Sequence, residues 1–113
     1  MKEEPLSATD ELIWSVVEWG RSKKIDNADK QFMKVVEETS EIAREMVRGR
    51  YNSPELMDAL GDSMVTLIIL ADILGYDIIG CLATAYAEIR NREGETIDGS
   101  FVKSDDLEGE DGE

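Results

Sequence analysis

Two stretches of sequence decide the fold, KVVEETSEIAREM at residues 34–46 and LMDALGDSMV at residues 56–65. Both have the residue types and spacing of α-helices, in which positions three or four residues apart share a face. On the first helix, Glu38, Glu41 and Glu45 therefore form a carboxylate stripe beside an apolar one. Acidic side chains that border a core stripe are expected at a helix interface and not in open water.

The second helix carries a matching pair, because Asp58 and Asp62 stack one turn apart in line with its apolar residues. Like charges gathered in a groove repel one another unless a cation neutralises them. Hard divalent ions such as Mg²⁺ take oxygen ligands. The two helices together therefore predict a metal site. The alternative is a solvated acidic surface, which is the commoner fate of acidic residues on helices.

Composition limits the function classes. The 113 residues suit one modest domain, and 26 acidic against 12 basic residues give a net charge of −14. This charge disfavours nucleic acid or an anionic membrane surface as a partner, since phosphate groups need Lys or Arg. With no histidine, the commonest general base and the usual zinc ligand are missing. A single cysteine, Cys81, permits no disulfide within the chain and fits a cytoplasmic location.

Helix signals along the chain predict an all-α fold. Four helices are expected, at residues 8–23, 28–48, 54–74 and 78–91. The domain is expected to span residues 1–103, followed by an acidic disordered tail at 104–113. The third helix is apolar nearly all round between Met64 and Leu74, which is too short to cross a bilayer and too apolar for one small domain to cover. We therefore expect oligomerisation to complete the four-helix bundle, as a homodimer or a homotetramer.

Three further features bear on function. Asp72 lies inside the apolar part of the third helix, where a carboxylate is costly unless it is paired or coordinated. A third of the basic residues fall in the segment 21–30, which is either a phosphate-facing edge or a solvated linker. Trp19 precedes this segment and is either a packing residue or a platform on which a base could stack.

The acidic motif resembles that of a known family. EETSE at residues 37–41, followed after a spacer by DALGD at 58–62, is similar to the EExxE and ExxD motifs of the MazG-like nucleoside triphosphate pyrophosphohydrolases, which belong to the all-α NTP pyrophosphatases. The likeness covers about residues 13 to 103. Ala59 departs from the family pattern, which has Glu at that position. Asp58, one residue earlier, is the stand-in, because it shares a helix face with Asp62 four residues on. Glu93 is a second departure, where relatives favour a basic residue.

The resemblance implies an enzyme that hydrolyses a nucleoside or deoxynucleoside triphosphate to the monophosphate and pyrophosphate, using Mg²⁺ or, as a substitute, Mn²⁺. It implies that the metal ligands are Glu38, Glu41, Asp58 and Asp62. Glu37 or Glu41 would orient or deprotonate the attacking water, and Glu38 would share in catalysis. The candidate substrate contacts are Trp19, Lys34, Tyr86, Arg90, Arg92 and Lys103. Arginine suits bidentate phosphate binding, and lysine acts as a point charge.

Two other interpretations stay open at this point. A phosphoribosyl-ATP pyrophosphohydrolase would share the fold and the chemistry. A non-catalytic helical oligomerisation module would bind a divalent cation for stability alone and would hydrolyse no nucleotide. A regulatory or antitoxin-like partner protein is a weaker third interpretation, because only the acidic tail could serve it as a binding segment.

Overall fold

The computed structural model describes residues 7–111, and the chain divides into two compact units, Met1–Ile78 and Ile79–Glu113. The first contains the helices α1 (Ala8–Ser22), α2 (Ala28–Val47) and α3 (Pro54–Ile73). The second contains α4, which begins at Ile78 (Ile78–Ile89), the strands β1 (Gly94–Ile97) and β2 (Ser100–Lys103), and α5 (Ser104–Asp111). The predominance of helix confirms the predicted all-α class.

The helix ends follow local chemistry that the sequence predicts. The side chains of Ser7, Asn27 and Ser53 each cap a helix by accepting a hydrogen bond from a backbone N–H in its first turn. α2 and α3 are followed by Gly49 and Gly75, whose φ angles of 72° and 84° lie in the left-handed region that glycine adopts without strain. Each of the four predicted helices is present, with ends within two residues of those expected.

The core of the first unit lies along α3, which packs mainly against α2 and also against α1. Its buried apolar residues are Val35, Ala59, Ile68, Ile69 and Ala71. α1 approaches α3 closely at Gly20, where an added Cβ would lie 3.2 Å from the Ile69 side chain. These contacts fix the faces of α2 and α3 that carry the acidic residues.

The chain covers the apolar part of α3 only in part, which agrees with the expectation that one small domain cannot cover this helix alone. Ile68 and Ile69 are each 4% exposed, but Met64, Leu67 and Leu74 remain about half exposed. Only two helices cover α3 within this unit, and their contact stripes leave the rest of its circumference open. Large apolar residues of α1 and α2 are exposed as well, namely Leu12, Phe32, Val36 and Met46.

The second unit contains a β-hairpin that the sequence analysis missed. β1 and β2 pair antiparallel with Ile97 opposite Ser100, so that Asp98 and Gly99 form a two-residue turn. Both turn residues have positive φ, 51° and 82°, as the tight turns of hairpins require. The Asp-Gly pair between short β-prone runs was the available signal.

Residues 104–111, expected to be disordered, form α5 instead. Two causes favour this helix. Asp105 and Asp106 lie in its first turn, where negative charge is favourable, and the half-buried Leu107 lies on a helix that contacts both strands of the hairpin. Residues 112 and 113 of the predicted tail lie outside the described residues.

α4 is apolar, yet every one of its residues from Ile79 onward is exposed. Its large apolar and aromatic residues, namely Ile79, Leu82, Tyr86 and Ile89, are between 36% and 64% exposed. Within the described residues, no single helix is both long enough and apolar enough to cross a bilayer.

Candidate functional site

A small pocket between α2 and α3 is lined almost entirely by acidic residues. Its volume is about 310 Å³, and its lining consists of Glu38, Glu41, Glu45, Glu55, Asp58, Ala59 and Asp62. We call it the carboxylate pocket. It forms because each helix presents its acidic residues at three- or four-residue spacing on the face that meets the other. The structure thus brings together the four residues that the sequence analysis predicted as metal ligands.

The electrostatics of the pocket are those of crowded carboxylates. Partial burial raises the pKa of Glu38 above its ordinary value, and the negative charges of Asp62 and of the neighbouring acids on α2 raise it further. Burial likewise raises the pKa of Asp62, as do the charge of Asp58 and a hydrogen bond between the two side chains. Both shifts have the direction expected where negative charge lacks compensation.

The predicted catalytic residues differ in their surroundings. Glu37 is exposed and forms an ion pair with Lys34 at 3.3 Å. It does not line the carboxylate pocket. Glu41 lines the carboxylate pocket, is half-buried, and forms an ion pair with Arg44 at 3.3 Å. Of the two candidates for contacting a water molecule near the acidic cluster, Glu41 is therefore the better placed.

The lining of the carboxylate pocket supplies only oxygen ligands, the type that hard divalent cations take. Within residues 7–111, Oε2 of Glu45 accepts no hydrogen bond, and it forms an ion pair with Nη1 of Arg50 at 3.6 Å. Across that same range, no group of three or more Asp, Glu, His or Cys side chains is arranged to hold a metal ion.

A larger groove adjoins the pocket and shares two residues with it. Its volume is about 670 Å³, within the usual range for small-molecule sites. Glu38 and Asp62 belong to both linings, and Trp19 and Lys34 also line the groove. We call it the Trp19 groove. Its other lining residues are Lys24, Ile25, Asp26, Asn27, Lys30, Gln31, Val65, Thr66 and Ile69.

The Trp19 groove is lined by an aromatic side chain, by three lysines and by the apolar residues Ile25, Val65 and Ile69. Trp19 is 51% exposed, so that its ring is accessible to a ligand. Gln31, a buried lining residue on α2, donates a hydrogen bond of 3.2 Å from its amide nitrogen to the carbonyl oxygen of Thr66 on α3. This bond connects the two helices that line the groove. Such a surface can receive a flat ring and negatively charged groups together.

Lys24 and Lys30 are groove residues that the sequence analysis did not single out as site residues. The signal for Lys30 was its spacing, since it precedes Lys34 by four residues and Glu38 by eight, on one face of α2. Lys24 could not be found in this way, because it lies after the end of α1 with a left-handed φ of 59°. The basic segment 21–30 thus contributes to the groove and is not merely a solvated linker.

The remaining predicted substrate contacts, Tyr86, Arg90, Arg92 and Lys103, belong to the second unit. Tyr86 is an exposed residue of α4. Arg92 follows that helix and forms an ion pair with Glu88 at 3.3 Å. Lys103 ends β2, where it pairs with Gly94 across the hairpin.

Comparison with family models finds no matching family, and neither the curated proteins nor the solved structures include a match to this chain.

Proposed function

We propose that this protein is a Mg²⁺-dependent nucleoside triphosphate pyrophosphohydrolase, which converts a nucleoside or deoxynucleoside triphosphate to the monophosphate and pyrophosphate. One observation carries the proposal. The Trp19 groove and the carboxylate pocket share Glu38 and Asp62, so that a surface suited to a nucleotide adjoins a cluster suited to cations. The resemblance of residues 37–41 and 58–62 to the motifs of MazG-like enzymes supports the same function.

The nucleotide end of the site is proposed to be the Trp19 groove. A base would stack on the Trp19 ring, which is half exposed. Lys24, Lys30 and Lys34 would attract the negatively charged phosphates. These lysines share the lining with Asp26, Glu38 and Asp62, so the groove is formally neutral in a chain whose net charge is −14.

The cation end is proposed to be the carboxylate pocket, with Glu38, Glu41, Asp58 and Asp62 holding Mg²⁺ or Mn²⁺. When bound, such ions neutralise the triphosphate and stabilise the charge that develops on the leaving pyrophosphate. The chain has no histidine, so either a carboxylate would orient the attacking water and accept its proton, or the bound cation would make that water acidic enough to react. We assign that role to Glu41, with the exposed Glu37 as the alternative.

Tyr86, Arg90, Arg92 and Lys103 remain proposed as further substrate contacts from the second unit. The two arginines suit bidentate phosphate binding. Their proposed role rests on the resemblance and on their chemistry.

We also propose that the protein is a homodimer or a homotetramer. The support is found in each unit separately. Leu67 of α3 is 44% exposed, and on α4 Leu82 and Ile89 are 64% and 51% exposed. Monomeric soluble proteins rarely expose large apolar patches. A symmetry-related copy would cover the same face on both chains.

A panel of nucleoside triphosphates, with phosphoribosyl-ATP included, tests the function. Each compound is incubated with the protein and Mg²⁺, and pyrophosphate and orthophosphate are measured separately. We expect pyrophosphate release that stops when EDTA is added. Hydrolysis of phosphoribosyl-ATP alone would favour that alternative. Release of orthophosphate only, or undiminished turnover in EDTA, would refute the proposal. Cation-dependent melting without any hydrolysis would favour the non-catalytic module.

A further inference from the structure

Gln31 is a buried polar residue of the Trp19 groove, with 6% of its surface exposed. Its Nε2 atom donates a hydrogen bond of 3.2 Å to the carbonyl oxygen of Thr66. A carbonyl oxygen can only accept, so this bond fixes the orientation of the Gln31 amide. The other amide atom, Oε1, is therefore an acceptor whose position is set by the packing of α2 on α3.

The Oε1 atom of Gln31 is open to a ligand. It accepts no hydrogen bond from the described residues 7–111. It is not sealed in the interior either, because Oε2 of Glu45 is the one fully buried side-chain oxygen or nitrogen in that range that lacks a partner. Since Gln31 is almost wholly buried and lines the Trp19 groove, a donor can reach this oxygen from the groove.

Asn27 supplies a complementary group one turn earlier. It caps α2, and its Oδ1 atom accepts a hydrogen bond of 2.9 Å from the backbone N–H of Lys30. An N–H can only donate, so this bond fixes the Asn27 amide and leaves Nδ2 as a donor. The backbone N–H of Gln31 donates to the carbonyl oxygen of Asn27 at 3.0 Å, and both residues line the groove.

A fixed donor beside a fixed acceptor can distinguish the edges of nucleobases. Adenine and cytosine carry an amino donor followed by a ring-nitrogen acceptor, whereas guanine and thymine carry a carbonyl acceptor followed by a ring N–H donor. A base that stacks on Trp19 and is tethered by its phosphates presents its edge in one direction. The amide pair then matches only one of the two orders.

We propose that Gln31 and Asn27 are the base-reading residues of the Trp19 groove, and that they select between amino bases (adenine and cytosine) and keto bases (guanine and thymine). This inference rests on the proposed function for the nature of the ligand, a nucleotide. It adds recognition of the base, which lysines that bind phosphates cannot provide because every nucleotide carries the same phosphates.

The test measures binding of the four deoxynucleoside monophosphates to the full chain by calorimetry in the presence of Mg²⁺. These probes carry the base but cannot release pyrophosphate. Affinities are compared at equal ring size, dAMP with dGMP and dCMP with dTMP. We expect a preference of about tenfold or more within each pair, in the same direction in both. Equal affinities within both pairs, or opposite directions in the two pairs, would overturn the inference.

Variants assign the preference to the two amides. Asn27→Asp keeps the oxygen that caps α2 but removes the Nδ2 donor, and Gln31→Met keeps the length of the side chain but removes the acceptor. Each should reduce the preference by about tenfold. Asn52→Asp makes the same change at an exposed residue that does not line the groove, and should leave the preference intact.

A purely structural role for Gln31 gives a different pattern. Gln31→Met would then weaken the binding of all four probes equally and preserve the preference, which would overturn the inference. If Gln31→Met does not fold, an unchanged preference in Asn27→Asp has the same overturning effect.

The two proposals fail separately. If the parent binds the probes with a preference that depends on Gln31 but releases no pyrophosphate from any triphosphate, the proposed function fails and the base-reading pair stands. If the parent releases pyrophosphate and binds the members of each pair equally, only the base-reading pair fails. A parent that neither binds nor hydrolyses any nucleotide contradicts both.

Discussion

Arg21, near the end of α1, donates two hydrogen bonds to Asp72, near the end of α3. Its Nε donates to Oδ2 at 3.0 Å and its Nη2 donates to Oδ1 at 2.7 Å. The bond to Asp72, together with the negative charge of that carboxylate, raises the pKa of Arg21. The same guanidinium lies over the ring of Trp14, 5.2 Å from its centroid. Arg21 and Asp72 are 51 residues apart in the sequence, so this contact connects α1 to α3. Trp19 lies on the same helix as Arg21, two residues before it.

Arg21→Ala should therefore lower the stability of the first unit, because it removes both hydrogen bonds and leaves the partly buried Asp72 without its partner. Lys23→Ala, two residues away at the exposed end of the same helix, is the matched control and should have a much smaller effect. Urea unfolding followed by circular dichroism measures both. Equal midpoints for the two variants would show that the Arg21–Asp72 contact does not stabilise the fold.

Stability without cations should depend on the pH through Glu38 and Asp62. Their pKa values in the folded protein are raised above the ordinary values of 4.5 and 3.8. The folded state therefore holds these protons more tightly than the unfolded state. The resulting stability is fully present below the ordinary values and is lost as the pH rises through the raised pKa values.

Glu38→Gln and Asp62→Asn should consequently melt at a higher temperature than the parent in EDTA at pH 7, with the advantage shrinking as the pH falls to about 4. Melting curves between these pH values provide the measurement. Glu18→Gln, on the exposed surface of α1 and outside the carboxylate pocket, serves as the charge control and should show no such trend. A parent that is as stable as both variants at pH 7 would contradict the electrostatic account of the pocket.

The two tryptophans of α1 offer a paired test of the Trp19 groove. Trp19→Ala should raise KM for the nucleotide by about tenfold, since stacking of a base on an aromatic ring is worth about 1–3 kcal/mol. Trp14→Ala removes a similar ring, but one that contacts Arg21 and does not line the groove. It should reduce stability without a comparable change in KM. Equal KM values for the parent and Trp19→Ala would remove Trp19 from the site.

Assembly is testable on α4, where a charged substitution need not disturb a buried core. Leu82 is 64% exposed, so Leu82→Glu should be tolerated by the single chain but should disrupt an apolar interface between chains. Thr84→Glu places the same charge about 200° around the helix and serves as the control. Light scattering coupled to size exclusion should give a dimer or tetramer for the parent and for Thr84→Glu, and a smaller mass for Leu82→Glu. A monomeric parent, or no change in Leu82→Glu, would contradict the proposed assembly.

Local signals in the sequence predicted the helices well, since caps such as Ser53 followed by Pro54 depend on neighbouring residues alone. The same holds for the carboxylate pocket, because helical spacing aligns acids on each helix and one short connector places the two helices side by side. The need of Asp72 for a partner was also predictable from its apolar surroundings. That the partner is Arg21 was not, because the contact depends on how α1 lies across α3.

Burial was the least predictable property. Apolar periodicity identified the stripes of α3 and α4 but could not show whether the same chain covers them, and Met64 and Leu82 remain exposed. The hairpin was missed for a different reason. Its strands have four residues each, too few for a period of two to stand out, and the Asp98–Gly99 turn was the one strong local signal.

The central claim is that Glu38 and Asp62 line both a nucleotide-binding groove and a cation site. The most direct test is to measure pyrophosphate release by matched variants. The rate with Mg²⁺ is measured for the parent, Glu38→Gln, Asp62→Asn and the control Glu18→Gln, after circular dichroism has shown each to be helical. Glu18 is an exposed acid of α1 that lines neither the carboxylate pocket nor the Trp19 groove. We predict that Glu38→Gln and Asp62→Asn lose activity by about 10²-fold or more, as removal of a group that stabilises transition-state charge does, while Glu18→Gln retains it. A folded Asp62→Asn or Glu38→Gln protein that releases pyrophosphate at the parent rate would contradict the account.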